Sequence, residues 1–230
     1  MSATASGMAR AARFYETSVG KKAIMAVTGL ILVGFVFVHM AGNLQIFLPV
    51  GEDGVRPIDK YGQLLHASEE LLWGARLVLL TSVLLHIWAS IQLAMKARSA
   101  RPVGYVKFDG MKRSYAARTM YWSGPIVGAF IVYHLLHLTT GTVHPDYEFL
   151  SVYENMVKGF QNPLVTGFYV LSMVLLSMHL YHGFWSMFQS LGFFHPRHTP
   201  KLQTAAKVFA VVIALGNISI PLAIMLGLIK

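Results

Sequence analysis

Residues 34–43 read GFVFVHMAGN, and they sit inside an apolar run that extends over about 23–48. The run is long enough to cross a bilayer core of about 30 Å, which takes roughly 20 residues of helix. Yet it carries His39 in its middle. Charged side chains at such a depth cost on the order of 2.5–3.5 kcal/mol on insertion scales, so an intramembrane ionisable group marks a site unless a partner explains it. The question is whether His39 is alone.

Four more runs resemble the first: about 71–95, 119–139, 163–191 and 205–229. Stretches rich in Gly, Pro and Asp separate them, namely LPVGEDGVRP, ARPVGYVKFDG, TGTVHPDY and HPRHTPK. The 230-residue chain is 55% hydrophobic and 13% charged, with mean hydropathy +0.53. Soluble domains carry about 25% charged residues. The expected fold is therefore all-α: a single membrane domain, 1–230, of five transmembrane helices, because backbone in hydrocarbon must satisfy its own hydrogen bonds. There is no cysteine, which removes disulfides, thiolate zinc sites and cysteine-bound iron–sulfur clusters from consideration. The N-terminal MSATASGMARAARFYETSVGKK is polar and basic and lacks a short apolar core with a cleavage site, so the first run reads as retained.

Charge sets the orientation. The N-terminal segment, the second loop and the fourth loop through Lys207 hold 14 of the 19 Lys and Arg, among them Arg98, Arg101, Lys107, Lys112, Arg113 and Arg118. Arg56, Lys60, Lys158 and Lys230 lie on the other side, and Arg76 lies within the second run. The positive-inside rule puts the N-terminus in the cytoplasm and the C-terminus outside, as expected for a multi-pass protein of the cell inner (cytoplasmic) membrane. The net charge of +9 gathers on one membrane face, which suits anionic lipid or a cytoplasmic partner rather than nucleic acid. Topology alone accounts for the same asymmetry.

Six of the ten histidines lie within runs: His39, His86, His134 and His137, His179 and His182. At about 1.5 Å per residue, His39 stands about 25 Å and His134 about 24 Å from the inner edge. His86 stands about 15 Å, His179 about 20 Å and His182 about 15 Å from that edge. Runs one and three thus carry an outer pair and runs two and four an inner pair. The count alone leaves His134 or His137 open, and slightly prefers His182 over His179. Paired neutral imidazoles on facing helices are what axial ligation of haem iron needs. Two depths imply two haems stacked across the bilayer. A proton relay or a bare metal site is the competing chemistry. The relay does not require pairing by depth, and a bare metal usually adds carboxylates or thiolates, none of which lie near these histidines. Thr28-Gly29 and Ser123-Gly124 precede His39 and His134 by the same 11 and ten positions, a weak internal repeat of small residues.

Taken together, TGLILVGFVFVHMAGN, LLTSVLLHIWAS, SGPIVGAFIVYH and MHLYHGFWSMF resemble the di-haem cytochrome b membrane-anchor subunit of succinate dehydrogenases and fumarate reductases, the five-helix type. The resemblance covers nearly the whole chain. It implies a four-helix bundle of the first four spans holding two haem b. His39 and His134 would be axial iron ligands of the outer haem, and His86 and His179 of the inner. It selects His134 by its spacing from the small-residue–Gly pair and His179 by the His-x-x-x-Gly pattern. His137 and His182 lie three positions from the ligands on nearly the same face, within reach of haem propionates or of a packing role. The resemblance further implies a flavoprotein with FAD and an iron–sulfur protein docked on the cytoplasmic face. Electrons would pass between these partners and a membrane quinone, menaquinone or ubiquinone, with the dicarboxylate chemistry on the partner. A di-haem cytochrome serving another donor, such as a hydrogenase, nitrate reductase or ferric reductase, and a haem-free proton-coupled transporter are the alternatives.

Quinone reduction consumes protons, so acids or histidines near the outer haem are expected. The sequence LLHASEELLWGAR offers His66, Glu69, Glu70, Trp73 and Arg76. Acids at a helix start are equally favoured by the helix dipole. Arg76, inside an apolar run, is expected to pair with a haem propionate or with Glu69 or Glu70. Span five, with Gly216, Asn217 and Pro221, reads as scaffold.

Overall fold

A computed structural model describes residues 13–100, 115–193 and 195–230. The basic stretch with Arg101, Lys107, Lys112 and Arg113 lies outside the described residues. Among those described the fold is all-helical. Helix α1 covers Ser18–Asn43 and runs on into a 3-10 turn, Leu44–Phe47. Then come α2 (Pro57–His66), α3 (Glu69–Ser99), α4 (Tyr115–Leu138), α5 (Val152–Phe160), α6 (Pro163–Ser190) and α7 (Thr199–Met225).

Four helices are long and apolar enough to cross a membrane: α1 with its 3-10 extension, α3, α6 and α7. The chain is a multi-pass membrane protein by this measure. Helix α4 has the length, 24 residues, but Arg118, Ser123, Pro125, His134, His137 and the tyrosines dilute its hydropathy, so the expected fifth span is not matched on composition. Apolar side chains such as Leu77, Leu80, Leu84 and Trp88 of α3 are more than half exposed. An exposed apolar surface of that extent suits lipid rather than water.

Two further helices occupy what sequence reading treated as loops. Both have the helical period in miniature. In α5, Tyr153, Met156, Val157 and Phe160 follow the i, i+3, i+4, i+7 spacing and all are buried. In α2, Ile58 and Gly62 are the buried face. They form a cap at one end of the molecule. Asp59 Oδ1 accepts from the Tyr153 amide at 2.9 Å, the Arg56 guanidinium sits 3.5 Å from the Tyr153 ring centre, and the Tyr153 hydroxyl donates to the Lys230 carbonyl. The first connection, the third connection and the C-terminus therefore meet at one end. At the other end Tyr15 donates to Gln92 and Lys96 donates to the Glu16 carbonyl, which ties the start of the chain to the end of α3.

Helix α6 packs against α1, α4 and α7, and α1 also packs against α3 and α7. The first four expected spans, α1, α3, α4 and α6, pack in the order α3–α1–α6–α4. The backbones of α1 and α4, and of α3 and α6, stay apart, and histidines reach across both gaps. The largest buried cluster lies under the cap, with Ile58, Phe130, Phe160, Tyr169, Met173, Ile220 and Ile224. Helices α1 and α3 run without an internal proline, whereas α4 contains Pro125 and α7 contains Pro221.

Candidate haem-binding histidine pairs

His39 of α1 and His134 of α4 face each other with ring centres 5.8 Å apart and planes at 86°. His86 of α3 and His179 of α6 stand 6.3 Å apart at 56°. Two imidazoles ligating one ion from opposite sides stand roughly 6 Å apart, centre to centre, because each metal–nitrogen bond is about 2 Å and each ring adds about 1 Å. Both pairs have that spacing.

The two pairs lie at different depths. The Thr28 hydroxyl is 3.2 Å from His86 Nδ1, so the inner pair is level with Thr28. His39 is 11 residues further along α1, about 16 Å away at the helical rise.

The surroundings of each ring decide which nitrogen it can offer. Thr28 has one hydroxyl proton and donates it to the Ile24 carbonyl at 2.8 Å. With its proton on that carbonyl, its oxygen can accept from His86 Nδ1, the tautomer that leaves the Nε2 lone pair for a metal. Gly29 makes this approach possible, since a β-carbon there would stand 3.3 Å from His86 Cε1. His134 Nδ1 lies 3.3 Å and His137 Nδ1 2.9 Å from the Tyr169 hydroxyl; with that one proton given to His137, His134 Nδ1 donates to the oxygen and Nε2 is left. His179 Nδ1 is buried without a partner. His39 differs. Its Nε2 lies 3.1 Å from Asn43 Nδ2, one turn along the same helix, so a ligand role there requires Asn43 to turn aside. Phe35 and Phe130 stack on His39 and His134 at 5.2 and 5.7 Å, supplying a flat apolar wall.

Among the described residues, no three histidine or carboxylate side chains converge. Two axial nitrogens per site are sufficient for haem iron. The four paired histidines have the donor type and spacing that two bis-histidine haems would need.

The other expected residues fall as follows. His137 is buried, its Nδ1 is 2.9 Å from the Tyr169 hydroxyl, and its ring stacks on Tyr133 and His144. This is a packing environment. His182 is half-buried on α6. The expected quinone residues lie at the end of α2 and in the first turns of α3. His66 ends α2, holding the Gly62 carbonyl through Nδ1 with its ring edge on Phe149. Glu69 and Glu70 occupy the first turn of α3, capped by Ser68, whose hydroxyl donates to Glu70. The expected pairing of Arg76 with either acid is not made. Its guanidinium lies 5.1 Å from the Trp73 ring, a cation–π contact three residues back on the same helix face.

Sequence reading missed Tyr169 and Asn43 as neighbours of the outer pair. Tyr169 is an aromatic in an apolar run, and nothing in the sequence separates it from the other tyrosines. Asn43 was visible as the polar residue one turn after His39. No family model, curated protein or solved structure matches the chain.

Proposed function

We propose that the chain is the membrane-anchor cytochrome b subunit of a succinate:quinone oxidoreductase, binding two haem b and passing electrons between an iron–sulfur partner and membrane quinone. One observation carries the reading: two imidazole pairs at two depths, each bridging helices whose backbones stay apart, each at the spacing of opposed axial ligands. Haem, when bound, supplies reversible one-electron chemistry. The chain's own residues hold and orient it. His86 and His134, whose Nδ1 atoms face hydroxyls, would offer Nε2 to the iron, and Phe35 and Phe130 stacked on the outer pair would give it an apolar wall.

The same reading takes α4 as a fifth crossing, with the N-terminus in the cytoplasm and the C-terminus outside. The meeting of α2, α5 and Lys230 at one end supports it, because five antiparallel crossings put the first and third connections and the C-terminus on one side. The basic opposite face would receive the iron–sulfur and flavin partners. The start of α3, with Trp73 and Arg76, is the proposed quinone side.

The test is purification of the tagged chain from membranes of its own cells. The account expects a flavoprotein and an iron–sulfur protein to copurify, and succinate to reduce the haem bands. A different donor subunit, or reduction by hydrogen or formate only, would assign the cytochrome to another complex.

A further inference from the structure

Three buried polar atoms among the described residues have no hydrogen-bond partner: Ser123 Oγ on α4, and Ser172 Oγ and His179 Nδ1 on α6. Leaving such an atom unpaired costs about 1–3 kcal/mol, so each calls for a reason. Ser123 is 1% exposed.

The internal repeat supplies one. Thr28 precedes His39 by 11 residues, and Ser123 precedes His134 by 11. Eleven residues are about three turns, so each hydroxyl shares a face with its histidine, about 16 Å inward. Since His39 and His134 are level, Thr28 and Ser123 are level. Thr28 touches His86, and His86 touches His179, so Ser123 is level with His179 as well. A second route gives the same answer. His134 and Tyr169 are in contact. Going inward from there, Ser123 is 11 residues away on α4 and His179 ten residues away on α6, a difference of about 1.5 Å. Helices α4 and α6 pack on each other, as α1 and α3 do.

We propose that Ser123 is the hydroxyl partner of His179 Nδ1, the counterpart of Thr28 for His86, so that matching positions of the repeat hold both imidazoles of the inner pair. The inference rests on the di-haem reading for the ligand that the pair holds. A serine hydroxyl swings between staggered rotamers at little cost, so Ser123 Oγ is free to turn toward a partner at its level. Both residues are positioning residues. A hydrogen bond at Nδ1 fixes the tautomer and raises the basicity of the coordinating nitrogen. A more basic ligand favours the oxidised iron, so loss of either bond raises the potential of that haem.

The test is a redox titration of the purified complex, resolved into two waves, with haem content measured alongside. Ser123→Ala is expected to keep two haems and to raise the midpoint of one wave, the same wave that Thr28→Val raises and that His86→Ala removes. Ser123→Thr and Thr28→Ser, which retain the oxygen, are expected to leave both waves in place. Unchanged waves in Ser123→Ala, or a shift in the wave that His39→Ala removes, would overturn the proposal. Where a variant does not assemble, pulsed electron paramagnetic resonance of the remote ring nitrogens in the wild-type complex decides. Two hydrogen-bonded Nδ1 atoms on the inner haem support the proposal, and one bare Nδ1 contradicts it. A wild-type complex without haem would instead refute the functional reading itself.

Discussion

Gly29 lies directly against the His86 ring: a β-carbon on it would stand 3.3 Å from Cε1. A single methyl fits after a shift of a few tenths of an ångström, whereas a branched side chain does not. Gly29→Leu is expected to push His86 out of register and lower the haem-to-chain ratio from two toward one. Gly124, at the matching place in the repeat, has nothing within 4 Å of its β-position. Gly124→Ala should keep two haems with little net change in stability, because Pro125 disfavours a helical residue bearing a β-carbon before it and offsets the gain in helix propensity. The pyridine haemochrome assay on both variants checks the contrast.

The four paired histidines should separate into two sets. His39→Ala or His134→Ala is expected to remove one haem, and His86→Ala or His179→Ala the other, with different bands lost from the low-temperature spectrum. His137→Ala should keep both haems while lowering thermal stability, because His137 fills buried space between Tyr133, His144 and Tyr169. A His137 variant that loses the outer haem would move that residue from packing to ligation.

The cap gives a stability prediction. Helix α5 has no side-chain hydrogen bond from its own N-cap, Ser151, and Asp59 of α2 accepts the Tyr153 amide instead. Asp59→Ala leaves that amide unpaired and should cost about 1–3 kcal/mol. Asp59→Asn keeps an acceptor and should cost less. Thermal unfolding in detergent, followed at the α5 end by proteolysis, measures both.

The junction of α1 and α2 is tighter still. A β-carbon on Gly42 would clash with the Tyr61 ring. Gly42→Ala should therefore destabilise by about 1–3 kcal/mol, as overpacking does. Tyr61→Leu in the same chain should recover part of it. No recovery would mean that the clash is relieved elsewhere.

The long helices were legible because each run is apolar over more than the bilayer thickness, and that signal needs no tertiary information. The histidine pairing was legible by depth because a helix in a membrane converts residue count into distance. Depth does not give direction. The count leaned to His182 because the end of an apolar run is a poor ruler for depth, while the structure sets His179 beside His86. The cap helices were missed because Gly51, Gly54 and Pro57 dominate the local signal, although the buried spacing of α5 was present in its letters. The pairing of Arg76 with Glu69 or Glu70 is not made for a local reason: Trp73 lies one turn away and Glu70 is already held by Ser68. The hydroxyl of Tyr169 depends on how α4 meets α6, which only the folded packing shows.

The most direct test of the central claim is the dithionite-reduced minus oxidised spectrum of the purified wild-type complex, with haem counted per chain. The account predicts b-type bands and two haems per chain. A chain free of haem, with transport that depends on pH, would contradict it and leave the buried histidines as a proton path.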